Sequence, residues 1–365
     1  MKTVLFVTNI PSPYRVEFFT LFAKTVKLTV IYERRNAANR EKSWLGEAGQ
    51  KAYEEIFLDG RTFGEENSLS LGLVRHLRKH RYDHVIFGGY NSPSVILAMR
   101  WMRRHHRPYG ITCDGMLPKE GEVTGWKEKL KRSLISGADF WLSSGHITTR
   151  ELVRYGANTE RVFEFPFSSV REEDIDELPS DRAACKAALG LPDCKLLLYV
   201  GQFIPRKGLD VLQKAMELLK ESLPQETFRL CLVGGDEKKL EALGCSFPKA
   251  ETVFPGFLNK TQLAAWYRAA ELFVLPTRED IWGLVVNEAF AHGLPVVTTE
   301  RCVAGMEMIE AGRTGVLVPI DDPKALAVGI AAGLKLTDRQ AVLEAARAYT
   351  LETMAETTGK ILERL

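Results

Sequence analysis

Two carboxylates, Asp280 and Glu288, stand eight residues apart in a stretch that changes character between them. Leu272–Leu275 is a short apolar run with the length and bounds of a buried strand. Pro276 and Thr277 end it, and Arg278, Glu279 and Asp280 form a charged loop. From Gly283 the spacing of Leu284, Val285, Ala289 and Phe290 is helical. Gly293-Leu294-Pro295 stops that helix, and Val296-Val297 opens a second buried strand. A unit of strand, loop, helix and strand presents helix N–H groups at the carboxyl end of a parallel sheet, where anions bind. Two acids at that terminus would repel a bare phosphate. They fit a ligand that adds hydroxyls to its phosphates, because carboxylates accept hydrogen bonds from sugar OH groups. A nucleotide sugar has both. The same residues also fit a plainer description, an acid favoured by the helix dipole and a solvated helical glutamate.

A second segment bears on phosphate. The apolar run Lys195–Val200 leads into Gly201-Gln202-Phe203-Ile204-Pro205-Arg206-Lys207-Gly208, followed by a helix from Leu209. This is not a Walker loop, which needs Gly-Lys-Ser/Thr where Arg206-Lys207-Gly208 stand. A loop between strand and helix is nonetheless where a doubly wound sheet meets its ligand, so Lys207 is either a phosphate contact or an ordinary surface lysine. The absence of Gly-x-Gly-x-x-Gly argues against a dinucleotide oxidoreductase. Neither an Asp-x-Asp pair at a donor site nor a His/Asp/Glu cluster with metal spacing is found, so no metal and no other cofactor is expected.

Together these segments resemble the retaining GT-B glycosyltransferases of family 4, the glycosyl transferases group 1. The family text acid-x-(Phe/Trp)-Gly-(Leu/Ile)-Val-x-x-Glu-Ala is matched by Asp280, Trp282, Gly283, Leu284, Val285, Glu288 and Ala289. The first acid is Asp rather than Glu, one methylene shorter, with Glu279 beside it to share the task. Gly201–Gly208 is similar to the family segment G-R-x-x-x-x-K-G, whose Arg and Lys hold the donor diphosphate. Lys207 matches, Gln202 replaces the Arg, and Arg206 is the candidate to restore the charge. Gly256-Phe257-Leu258 resembles the turn whose backbone holds the nucleotide base. Cys113 stands where relatives often carry a His, and Asp114 after it is the residue expected to face the cleft. Gly305-Met306-Glu307 stands where relatives have a Gly-x-x-Glu loop.

The elements that must position these residues repeat one pattern. Lys2–Thr8 reads as a first strand, not a signal peptide. Asn9–Tyr14 turns into a helix with Val16, Phe18, Phe19 and Phe22, which makes Ser12, Tyr14 and Arg15 candidates on the acceptor side. Val26–Tyr32 is a strand leading to a polar, basic loop from Glu33 through Arg40. His84–Phe87 ends in Gly88-Gly89-Tyr90, where Gly89 and Tyr90 are further acceptor-side candidates. Gly125–Ser136 spaces Trp126, Leu130 and Leu134 four apart beside Lys127, Lys129, Lys131 and Arg132. That pattern suits either an interfacial helix on anionic lipid or an ordinary surface helix. An acidic linker, Ser168–Ser180, interrupts the alternation, which then restarts.

Size and composition agree with two domains. The chain has 365 residues, 45% hydrophobic and 26% charged, as in soluble globular proteins. It has no window near ~18 consecutive apolar residues. Its six cysteines are scattered without C-x-x-C pairs, which suits free thiols in a reducing cytoplasm. The net charge of +2 hides an asymmetry: residues 1–170 carry 26 Lys and Arg against 18 Asp and Glu, a balance of +8, leaving −6 for the remainder. A basic first half suits an anionic acceptor or surface.

The expected fold is α/β, GT-B, with two Rossmann-like domains facing a central cleft. Residues 1–170 would form an acceptor-binding domain and 171–345 a nucleotide-sugar-binding domain. In relatives the last helix, here 346–365, packs back toward the first. The resemblance implies a metal-independent hexosyltransferase that retains anomeric configuration. It would move a sugar from a UDP- or GDP-sugar to a glycan or glycolipid acceptor in cell-surface polysaccharide or glycolipid synthesis. It implies a cytoplasmic location, peripheral on the inner face of the membrane, with no nucleic-acid partner. Asp280, Lys207 and Asp114 are then the catalytic candidates. Gly201, Gln202, Arg206, Gly256, Phe257, Leu258, Glu279, Gly283, Leu284, Val285 and Glu288 line the donor. The alternatives are a GT-B sugar phosphorylase or epimerase, and a nucleotide-sugar-binding protein without transfer.

Overall fold

The computed structural model describes all residues except 36–50, 64–66, 119–124 and 177–180. The basic loop expected through Arg40 therefore lies from residue 36 onward outside the described residues, as do residues 177–180 of the linker. The chain divides into two compact units, Met1–Ser169 with Thr350–Leu365, and Val170–Tyr349.

The first unit is built on the strands β1 (Thr3–Thr8), β2 (Lys27–Tyr32), β3 (Glu54–Phe57), β6 (His84–Phe87), β7 (Gly110–Cys113), β8 (Phe140–Ser143) and β9 (Val162–Glu164). They lie in the order β3-β2-β1-β6-β7-β8-β9, every neighbouring pair parallel. A short antiparallel pair, β4 (Arg61–Phe63) and β5 (Asn67–Leu69), stands apart from this sheet. The central strands are buried on both faces, which is why β1 and β6 read as unbroken apolar runs. The final helix, Leu351–Arg364, belongs to this unit and packs on the helix Pro13–Phe22. Lys2 Nζ donates to the carbonyl of Leu362 at 2.8 Å.

The second unit carries β10 (Lys195–Val200), β11 (Phe228–Val233), β12 (Thr252–Gly256), β13 (Leu272–Leu275), β14 (Val296–Thr299) and β15 (Gly315–Val318). Their order is β12-β11-β10-β13-β14-β15, all parallel. The chain runs outward from β10 to β12, then returns to place β13 on the other side of β10. The loops that follow β10 and β13 therefore leave the sheet toward opposite faces, the arrangement that opens a ligand crevice in doubly wound folds. The corresponding reversal in the first unit lies between β1 and β6.

Among the described residues, no helix is long and apolar enough to cross a membrane. The six cysteines are free, and all but Cys185 are buried. In the helix Gly125–Ile135, Leu134 is buried, Leu130 is half-buried and Trp126 is 72% exposed.

Candidate functional site

In the second unit, Lys207 and Asp280, 73 positions apart in sequence, meet at the strand-order reversal. The Lys207 ammonium donates to Asp280 Oδ2, and both side chains are largely buried. Lys207 closes a short turn after β10, and Gly208 follows it with φ 70°, in the left-handed region. A Cβ on Gly208 would lie 2.0 Å from the Pro276 carbonyl oxygen, so the two loops approach too closely for any side chain there. The contact is reinforced by backbone: Arg278 N–H donates to the Arg206 carbonyl at 2.8 Å, and Thr277 Oγ1 donates to the same oxygen at 3.2 Å.

Asp280 is fixed from its other side. Its N–H donates to the Arg301 carbonyl at 2.9 Å, and its own carbonyl accepts from Val303 N–H at 3.2 Å. Thr299 Oγ1 holds the Thr277 carbonyl at 2.6 Å. The loop after β13 is thus clamped between the loops after β10 and β14, which sets the carboxylate in one place. Gly283, with φ 103°, then starts the helix Leu284–Ala291, and a Cβ on it would lie 2.7 Å from Cys302 Sγ. Val286 N–H is bonded to the Gly283 carbonyl at 2.8 Å. The N–H groups of Leu284 and Val285 are first-turn donors, which have no carbonyl within their own helix to bond. Trp282 is buried and anchors the turn through Nε1 to Asn287 Oδ1 at 2.8 Å.

The electrostatics follow from burial. Cys302 lies fully buried near Asp280, and desolvation, with that carboxylate's charge added, pushes its thiol up to about 12. Tyr199 is raised by the same two causes and donates to the Gln202 carbonyl at 3.0 Å. Glu288 is half-buried and accepts from the Tyr267 hydroxyl at 3.1 Å.

The other donor-side candidates are placed unevenly. Gly201 and Gln202 lie at the end of β10, with Gln202 exposed. Glu279 is exposed, and its carbonyl accepts from Arg206 Nη1 at 2.5 Å. Arg206 stands 4.0 Å from Asp280 Oδ1 with a half-open side chain. Arg278 is held in ion pairs with Asp210 and Asp321, which raise its guanidinium pKa. Gly256, φ 78°, ends β12, and Phe257 beyond it is 57% exposed beneath the Lys239 ammonium, 5.0 Å from the ring centroid. Leu258 is half-buried. Among the described residues, no group of three or more His, Cys, Asp or Glu is placed to hold a metal ion.

In the first unit Ser12, Tyr14 and Arg15 fall on the start of the helix Pro13–Phe22, directly after β1. Gly89 and Tyr90 follow β6, across the reversal. Arg15 is 4% exposed, forms an ion pair with Asp114, and sits among the rings of Phe6, Tyr14 and Phe167 at 5.5–5.7 Å. Burial works against its charge, but Asp114 outweighs it and raises the guanidinium pKa. Tyr90 packs half-buried on the core, and desolvation raises its hydroxyl pKa. Cys113 is buried, its thiol pushed up to about 12 by desolvation. The loop expected from Glu33 begins with two buried charges. Glu33 accepts from the Ser92 hydroxyl, and Arg34 donates to Asn9 Oδ1 at 2.7 Å.

Sequence reasoning missed Tyr267, Tyr199, Thr277 and Thr299. A buried phenol or threonine within an apolar run carries no spacing signal, and its partner is known only once the strands are ordered.

Residues 194–335 match the family model described as glycosyl transferases group 1. The chain is similar to that family over these residues. It is 32% identical over 268 residues to the D-inositol 3-phosphate glycosyltransferase of Xylanimonas cellulosilytica, a match that takes in 66% of this chain and 61% of that relative. The chain thus spans about three fifths of that relative's length. Among solved structures it resembles the sucrose-phosphate synthase of Thermosynechococcus elongatus at TM-score 0.73 and 19% identity, covering 100% of this chain and 99% of that one. It also resembles Anabaena Alr3699/HepE, solved in complex with UDP and glucose, at TM-score 0.72 and 16% identity, with 100% of both chains covered. These likenesses show the GT-B fold, two parallel-stranded α/β units.

Proposed function

We propose that the chain is a group 1 glycosyltransferase, moving a sugar from a nucleoside-diphosphate sugar to an acceptor hydroxyl. One observation carries the reading: Lys207 and Asp280 are brought together at the start of the helix Leu284–Ala291, where the strand order of the second unit reverses. The Lys207 ammonium and the first-turn N–H groups would stabilise the leaving diphosphate, Asp280 would orient the donor sugar, and Glu288 would grip the ribose hydroxyls. UDP is the first donor base to test, since Anabaena Alr3699/HepE was solved with UDP. Retention of configuration and independence from metal belong to the proposal and rest on the resemblance.

The acceptor is proposed to be anionic, a phosphorylated polyol or a glycolipid, and to meet the first unit. Support comes from the +8 balance of residues 1–170 and from the inositol phosphate in the relative's name. A peripheral contact with anionic membrane is part of this reading, supported by Trp126 standing out beside Lys127 and Lys129. Asp114 is proposed to hold Arg15 in place through their ion pair.

The test is a thermal-shift panel of UDP- and GDP-sugars, followed by hydrolysis and transfer assays with and without EDTA and assignment of the product anomer. Stabilisation by one donor with turnover supports the reading. Stabilisation without turnover across several acceptors would leave a nucleotide-sugar-binding protein.

A further inference from the structure

Tyr267 lies near the end of the helix Lys260–Ala269 and is 1% exposed. A buried phenol carries a desolvation cost that phenylalanine would fill the same volume without. Its hydroxyl donates to Glu288 Oε2 at 3.1 Å. The ring behind that hydroxyl is held on two sides. It stacks on His292, with centroids 5.2 Å apart and planes 17° from parallel, and it leans on Phe273 of β13 at 5.9 Å. His292 is itself pinned, its Nδ1 donating to Asp176 Oδ2 at 2.5 Å. Arg268, the next residue after Tyr267, donates to the same carboxylate through Nε at 2.7 Å and Nη2 at 2.5 Å. Asp176 N–H is bonded to the Ala291 carbonyl at 2.9 Å, which ties this cluster to the end of the helix that carries Glu288.

A glutamate side chain can take several rotamers, and gripping a pair of ribose hydroxyls requires one of them. We propose that Tyr267 is the positioning residue for Glu288: its clamped hydroxyl selects the carboxylate orientation that takes the ribose. Burial, with the charge of Glu288 added, raises its pKa well above the usual phenol value, so it remains a donor. The inference rests on the ribose role proposed for Glu288, and the experiment separates the two.

Affinity for UDP, or GDP where the donor panel selects it, is measured against an analogue lacking both ribose hydroxyls. The proteins are the unmodified chain, Tyr267→Phe, Glu288→Gln and the double variant. Glu288→Gln is expected to weaken nucleotide binding about tenfold and to abolish the preference for the intact ribose. Tyr267→Phe is expected to weaken binding about 3- to 10-fold with the same preference reduced, raising KM while kcat at saturation holds. The double variant should bind no worse than Glu288→Gln alone. A protein with 4-aminophenylalanine in place of Tyr267 keeps both ring and donor and should retain the preference. It also keeps the test open if Tyr267→Phe does not fold. Additive losses, an unchanged preference in Tyr267→Phe, or a lost preference in the folded 4-aminophenylalanine protein would overturn the positioning role. An unchanged preference in Glu288→Gln would overturn the ribose reading and this inference with it.

Discussion

Lys207 carries the positive charge proposed for the donor diphosphate, and the same ammonium lies against Asp280. A carboxylate and a diphosphate compete for one cation, so the two acidic partners cannot both hold it at full strength. Asp280→Asn keeps the side chain and removes the competitor. Nucleoside diphosphate is therefore expected to bind as well as before or up to about tenfold more tightly, while turnover falls about 10- to 100-fold through loss of a hydrogen bond that tightens in the transition state. Titration calorimetry with initial rates checks both halves. Weaker diphosphate binding in that variant would show that the pair assists the ligand instead of competing with it. Lys207→Ala should cost the diphosphate about 100-fold in affinity, since a charge-assisted contact is lost and Asp280 keeps only the longer ion pair with Arg206.

At the level of elements, the site depends on how closely two loops can pass. Gly208→Ala would set a methyl against the Pro276 carbonyl and force a left-handed backbone on alanine. It is expected to lower Tm by several degrees and to depress nucleotide binding, both measurable on one sample by thermal shift with and without ligand. The Asp176 cluster makes a prediction in pH. Burial opposes its charge, but the donors His292 and Arg268 outweigh burial and hold the Asp176 carboxyl below the usual range. A carboxyl depressed in the folded state adds stability that is fully present above its unfolded pKa and is lost as pH falls through the folded value. Asp176→Asn should melt below the parent at about pH 7, with the gap closing toward about pH 3; a gap independent of pH would remove the charge from the explanation. The strands that frame the site were legible because parallel strands covered on both faces read as apolar runs, as Lys195–Val200 and Leu272–Leu275 do. The edge strand Glu54–Phe57 was not, since an edge is partly wet and its residues alternate no clear pattern. Asp280 and Lys207 were each readable by type and spacing. Their pairing was not, because it is made by the order of strands in the sheet, and Tyr267 and Thr299 act through that same order.

For the whole molecule, charge is divided between the two sequence halves. If the basic half meets an anionic surface, binding to anionic vesicles should exceed binding to neutral ones, fade as salt rises, and weaken in Lys129→Glu with Lys131→Glu. Flotation at low salt measures it, and equal recovery from both vesicle types would favour a soluble acceptor. Arg103 and Arg107 are weaker candidates for that surface than Trp126 and Lys129, since their guanidiniums are bonded to the carbonyls of Ser133 and Leu77. The return of Thr350–Leu365 to the first unit has a consequence in time. A ribosome delivers residues in order, and domains fold as units while they emerge. Val170–Tyr349 is contiguous and has its full set of residues before synthesis reaches Thr350. The unit whose strand β1 is made first must wait, with the face of the helix Pro13–Phe22 still uncovered, for the last helix to arrive. The half begun first is the half completed last, so a released chain ending at Tyr349 should expose the first unit to protease or chaperone while the second is protected.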